Sequence, residues 1–342
     1  MYQFRNDYSV GCHPVVLEAL SNANTEHVVG YGADKYCKDC ADLIRELCKS
    51  PKADVQFMVG GTQTNLTAIA AFLRPWESVI TPVSGHVNGH EAGAVEATGH
   101  KLLTVATSSS GKLSAALLKP ILEECKDEHL TKPRLVYISD ATETGSVYTK
   151  AELTELSLFC HRNGLFLFLD GARLGCALAA QANDLTLSDI AALTDAFYIG
   201  GTKNGAMFGE ALVITEPKLQ ADFFRLKKQR GAVLAKGWLL GLQFQALFKD
   251  DLYFKIAKHA VEVAQYLQGG LKNLGIPMMT DSPTNQLFPI VPNTLLPQLE
   301  KLCTYEVWGK ADEEHTVVRF VTSFATPLSA VEGFLKALKD IT

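Results

Sequence analysis

A lysine bracketed by glycines, in AFYIGGTKNGAMFGEALVI, is the residue of this chain whose setting best suits covalent chemistry. Most lysines are solvated surface charges. Lys203 instead follows one apolar run, AFYIG (196–200), and precedes another, EALVIT (210–215), so its loop lies between two buried strands. An amine partly withdrawn from water there is a candidate nucleophile toward a carbonyl, the opening of Schiff-base chemistry. Asp170 is the second such residue, ending the almost wholly apolar LFLFLD (165–170) three positions before Arg173. Burial alone would neutralise that carboxyl, so it needs a partner. A cationic ring nitrogen would serve, as would the start of the next helix or an ion pair with Arg173. A third feature is VQFMV (55–59), which runs into Gly60-Gly61-Thr62-Gln63-Thr64-Asn65 and then the apolar LTAIAAFL. Backbone amides at such a helix start can face an anion, with glycines allowing close approach; an ordinary turn is the alternative. The spacings GxGxxG and GxxxxGK[ST] are absent from it, which disfavours dinucleotide and P-loop binding.

These residues need elements to hold them. From Asp54 to about Thr215 short apolar runs alternate with amphipathic stretches, the texture of βα units. The remaining strands of that series are SVITP (78–82), KLLTVAT (101–107) and RLVYIS (134–139), seven in all. The pattern predicts an α/β fold: a three-layer α/β/α domain with a mainly parallel seven-stranded sheet. Its loops, and with them the chemistry, collect at the carboxyl edge. Beyond Lys228 long helices, notably 251–273, precede strands in QLFPIV, YEVWG and TVVRFVTSF and a closing helix over 328–339, which reads as a smaller α/β C-terminal domain. Residues 1–45 lack a clear strand and are expected to wrap onto both domains, a large one at 46–228 and a small one with its helical connection at 229–342.

The 342 residues suffice for such a pair of cores. Lys and Arg total 32 against 37 acidic residues, a net of −5, with no basic stripe, so nucleic acid is excluded as an expected partner. Eight scattered cysteines suit a reducing compartment. Cys37 and Cys40 form a CxxC, but on a predicted helix (36–49) and without a second pair at zinc spacing, so no metal is expected. The opening MYQFRNDYSVG is too polar for a signal peptide, and no apolar run reaches the roughly 20 residues of a membrane span. A soluble, cytoplasmic enzyme is expected.

Taken in order, YGADKY, GGTQTN, SGHVNGHEAGA, DGARL, GGTKNG and VVRFVTSFAT resemble the threonine aldolase and β-eliminating lyase family over nearly the whole chain, most closely its low-specificity L-threonine aldolases. The resemblance implies the aspartate aminotransferase-like fold and a pyridoxal 5'-phosphate cofactor. By the same resemblance Lys203 carries the cofactor and Asp170 keeps its ring nitrogen protonated. Gly61, Thr62 and the Gln63 amide match its phosphate cup, and His86 matches the imidazole stacked on its ring; a plain loop histidine is the alternative. Arg173 and Arg319 match the residues that hold the substrate carboxylate, although Arg319 would also be satisfied by an acidic neighbour. Asn6 lies in a segment similar to the family's RSDT opening and is expected at the same carboxylate. Tyr31, in YGAD, matches a loop that approaches the neighbouring subunit's site.

Two segments depart from the family. SDATETGSVY stands where other members carry a LENTH-like segment, with Glu143 near the histidine position, and KKQRGAVLAKGW replaces a Gly-Gly-rich RQ segment. Either Glu143 handles the β-hydroxyl proton of the substrate or His86 and water do. The expected activity is cleavage of β-hydroxy amino acids of the threonine type to glycine and an aldehyde, with β-elimination, transamination or non-catalytic binding on the same fold as rivals. A homodimer or homotetramer is implied.

Overall fold

The computed structural model describes residues 1–341. The chain opens with a two-residue strand, β1 (Tyr2–Gln3), and a helix at Pro14–Ala23 before the main series begins. That series is β2 (Asp54–Met58), β3 (Glu77–Pro82), β4 (Leu102–Val105), β5 (Lys132–Ser139), β6 (Phe166–Asp170), β7 (Ala196–Gly200) and β8 (Glu210–Ile214). They form one sheet in the order β2-β8-β7-β6-β5-β3-β4. All neighbours pair in parallel except β8, which is antiparallel to both β7 and β2. The reversal has a simple cause: only residues 201–209 join β7 to β8, too few for a parallel crossover. That short connection is the loop carrying Lys203.

Both faces of the sheet are covered. Leu167, Leu169, Phe197 and Ile199 belong to one core, and Phe168, Tyr137 and Tyr198 to the other. Strands buried on both sides read as unbroken apolar runs, which is why their sequences carry no alternation. Among the covering helices, Lys150–Arg162 and Leu187–Leu193 each start with a capping box, Thr149 with Glu152 and Thr186 with Asp189.

The second sheet consists of β9 (Gln286–Leu287), β10 (Ile290–Pro292), β12 (Glu306–Lys310) and β13 (His315–Val321), with β10 and β12 flanking β13 and β9 also paired to β13. β11 (Cys303–Thr304) pairs in parallel with β1. Phe4, Phe320 and Phe334 pack into this part's own core, together with residues of the helix Leu252–Asn273. The strand expected across QLFPIV is split, because Pro289 has no N–H to donate. The long helix begins at Leu252, after Asp250 and Asp251 adopt left-handed backbone at φ 52° and 57°. The absence of a strand expected for the first forty residues is corrected by β1, whose two residues are too few to show a periodic signal. Phe4 lies in the second core while Val16 lies in the first, so the N-terminal segment touches both.

Close approach at the carboxyl edge depends on glycine. A Cβ on Gly171 would fall 1.8 Å from the Tyr198 carbonyl oxygen, where the Gly200 N–H donates to the Gly171 carbonyl at 3.0 Å. Gly171→Ala is therefore expected to destabilise the fold by about 3 kcal/mol or more, because backbone on both sides must separate. Urea unfolding measures it, and a loss below about 1 kcal/mol would contradict it.

Candidate active site

Asp170 ends β6 at the edge where β2, β3, β5 and β7 also end. It is 4% exposed, and every contact it makes is a donor. Tyr137 Oη donates to its Oδ2 and Tyr198 Oη to its Oδ1, each at 2.5 Å; Asn65 Nδ2 donates to Oδ2 at 3.0 Å and the Ala172 N–H to Oδ1 at 3.0 Å. Burial alone would push this carboxyl up, but the two phenols, the His86 ring and Asn65 together hold it below the ordinary carboxylate value. Asp170 is thus an anion. The same charge, after burial, drives both phenols well above their usual range, so they remain donors.

Lys203 lies within electrostatic reach of that anion. Among the described residues its amine has no hydrogen-bond or ion-pair partner. Burial, and then the Arg173 guanidinium, push the amine below its ordinary range, against the pull of Asp7, Asp170 and Glu210. The turn that presents it is held from below by Glu210, whose Oε2 accepts the Gly201 N–H at 2.9 Å.

Arg173 is not Asp170's partner. Its Nε and one terminal nitrogen donate to the two oxygens of Asp7 at 2.7 and 3.0 Å, and Asn285 Nδ2 also reaches Asp7 at 2.9 Å. Arg319 has no acidic partner at ion-pair distance among the described residues; it lies over the Trp308 ring at 5.4 Å, and its buried Nε is without a hydrogen bond. Burial and then the Arg173 guanidinium push it below its ordinary value. Two guanidiniums facing one space, one of them unpaired, make a receptacle for a carboxylate.

His86, Glu143, Arg173, Lys203 and Arg319 line one cavity of about 470 Å³, closed by Tyr8, His90, Trp308 and neighbours. Glu143 Oε1 accepts the His86 N–H at 2.9 Å and the Ser139 hydroxyl at 2.7 Å; its Oε2 is buried without a partner, and burial pushes its pKa up. Gly61, Thr62 and Gln63 form the first turn of the helix Gly61–Phe72, whose N-cap, Gly60, offers no side chain. A Cβ on Gly61 would lie 3.1 Å from the Tyr198 hydroxyl, so this turn rests on one of the phenols that bind Asp170.

The sequence of the β-eliminating lyase family matches residues 3–331. The chain belongs to the β-eliminating lyase family. A low specificity L-threonine aldolase of Pseudomonas sp. (strain NCIMB 10558) is 34% identical, covering 99% of this chain and 97% of that one. A solved Leishmania major threonine aldolase superposes with a TM-score of 0.98 at 48% identity, covering 99% of each chain. Thermus thermophilus aspartate aminotransferase, at 14% identity and a TM-score of 0.74, covers 100% of this chain and 92% of its own, and shares the fold alone. The family's members are pyridoxal-phosphate enzymes. The residues present fit that group: an unpartnered, partly buried amine, an anion kept ionised by phenols, and a helix start stripped of side chains at Gly60 and Gly61.

Two residues matched to the family lie outside this cavity, Asn6 against expectation and Tyr31 on a loop that the resemblance assigns to a neighbouring subunit's site. Asn6 does not line this cavity: its Oδ1 accepts the Tyr8 N–H at 3.1 Å, and it borders a separate hollow beside Ser323 and Thr326. The neighbouring Asp7 is the inward residue. Tyr31 lines a different cavity, with the Lys228 ammonium 4.6 Å above its ring. In the divergent KKQRGAVLAKGW segment, Lys227 is buried, donates to Gln56 Oε1 at 3.2 Å and is pushed down to about 8 by burial. Asp7, Asn65, Glu91, Tyr137, Tyr198 and Glu210 were assigned no role from the sequence, although Asn65 stood in GGTQTN and Glu91 in SGHVNGHEAGA, two of the segments that carry the family resemblance.

Proposed function

We propose that this chain cleaves β-hydroxy amino acids of the threonine type to glycine and an aldehyde, with pyridoxal 5'-phosphate held on Lys203. The observation that carries the reading is a pocket that joins an unpartnered amine to an unpaired guanidinium, with the ionised Asp170 within electrostatic reach of that amine. Lys203, Asp170, His86 and Arg173 would hold the cofactor ring, and Gly61, Thr62 and Gln63 its phosphate. When bound, the cofactor draws electrons from the α-carbon of an amino acid, so that a bond at that carbon can break.

The protein decides which bond. Arg319, with the arm of Arg173 that Asp7 leaves free, grips the substrate carboxylate and fixes the rotation about the α-carbon. Asp7 and Asn285 keep Arg173 from swinging away. Glu143 and His86 line the same cavity, so a β-hydroxyl held there finds groups able to accept or return its proton. A core of its own around Phe320 and Phe334 supports a small domain within 229–342, while its helical connection, Trp238–Phe248, packs in the core of the large domain proposed at 46–228. The exposed ring of Tyr31 and the family membership support a homodimer or homotetramer, and eight free cysteines support the cytoplasm.

The deciding experiment incubates the holoenzyme with L-threonine and L-allo-threonine. Glycine and acetaldehyde in equal amounts are expected. Ammonia and a 2-oxo acid would mean β-elimination instead, and no product would mean a binding protein.

A further inference from the structure

We infer that Glu91 is a positioning residue that fixes His86 as the Nδ1–H tautomer, so that the ring presents Nε2 to the pocket as a proton acceptor. This deepens the aldolase reading, since it names which group takes the β-hydroxyl proton.

The geometry is a chain of four side chains from three parts of the large sheet's edge. His86 follows β3, and its Nδ1 lies 2.7 Å from Glu91 Oε1. Asn65, on the helix after β2, donates from Nδ2 to the same Glu91 oxygen at 2.8 Å and to Asp170 Oδ2 at 3.0 Å. One amide nitrogen thus spends its two protons on two carboxylates. The orientation of the Asn65 amide follows from this, because a flipped amide would aim its oxygen at both anions. Since Glu91 Oε1 already receives a proton from Asn65, the neutral ring of His86 must bring its own to Nδ1.

The arrangement leaves polar atoms stranded. Glu91 is 5% exposed and Asn65 fully buried, yet Glu91 Oε2 and Asn65 Oδ1 have no hydrogen-bond partner. A packing role is poorly served by a buried carboxylate with one idle oxygen, whereas its other oxygen, 2.7 Å from Nδ1, is an acceptor that holds the imidazole in one tautomer. His86 itself is partly open, with a side chain 37% exposed on the cavity side. Facing it there are Glu143, His90 with ring centres 5.5 Å apart, and Lys203. Glu143, with its raised pKa and unpartnered Oε2, then complements His86 as the group that carries a proton.

The test is nitrogen-15 NMR of the histidine-labelled holoenzyme at a pH where the His86 ring is neutral, with its signals identified by their disappearance in His86→Asn. The wild type should show a protonated Nδ1 and a bare Nε2. In Glu91→Leu, which removes the acceptor, the proton should move to Nε2, and kcat for threonine should fall about 10- to 100-fold with KM near wild type. Glu91→Gln should give a mixed population and an intermediate rate, and serves if the leucine variant does not fold. A wild-type ring protonated at Nε2, or an unchanged tautomer in Glu91→Leu, overturns the inference. A wild type with the expected tautomer that releases no glycine from threonine would overturn the aldolase reading and leave this assignment standing.

Discussion

Lys203→Ala should reduce threonine cleavage by on the order of 10⁴-fold or more and abolish the visible colour of the purified protein. The size of the effect follows from what the pocket lacks. No other amine lines it, and nothing bonds to the Lys203 nitrogen that a solvent molecule or a neighbour could imitate. Its ordinary pKa would keep nearly all of it protonated at neutral pH; burial and the Arg173 guanidinium shift it toward the neutral, nucleophilic form. A colourless wild type with full activity, or an alanine variant within tenfold of it, would refute the assignment.

Asp170→Asn should be the second largest loss, about 10³-fold in kcat. At about 4 Å and an effective dielectric of about 20, a carboxylate attracts a ring cation by about 4 kcal/mol, and each 1.36 kcal/mol is about tenfold in rate. Asparagine keeps the shape and loses the charge. It also presents an NH₂ to a nest built wholly of donors, so one of Tyr137, Tyr198 or Asn65 is left without an acceptor. Circular dichroism should confirm that the variant folds, while rate and cofactor retention both fall. Retention of more than half the wild-type rate would show that the Asp170 charge plays no part in the reaction.

The parts of this site legible in the sequence share one property: they interrupt a pattern. Asp170 ends a strand buried on both faces, and Lys203 interrupts two such strands, so each shows as a polar residue where apolar ones are required. The seven strands show for the same reason, and only the reversed direction of β8 needed the length of the 201–209 connection to be weighed. The residues that escaped notice are polar partners brought together by tertiary structure. Asp7 meets Arg173 across 166 positions and Asn65 meets Asp170 across 105. Tyr137 and Tyr198 sit mid-strand among core aromatics, where nothing marks their hydroxyls as bonded. The exchange of Asn6 for Asp7 has the same origin, since two adjacent polar residues in an irregular segment look alike until one finds a guanidinium.

Asp7 also bears on how the protein is handled. Trimming the first seven residues, by protease or by design, would uncouple Arg173 and Asn285 from their shared anion and leave a buried cation alone, a loss of about 3–5 kcal/mol. Phe4 would go with it, opening the hydrophobic centre of the opposite half. A preparation clipped near its start should therefore lose grip on substrate and heat resistance together.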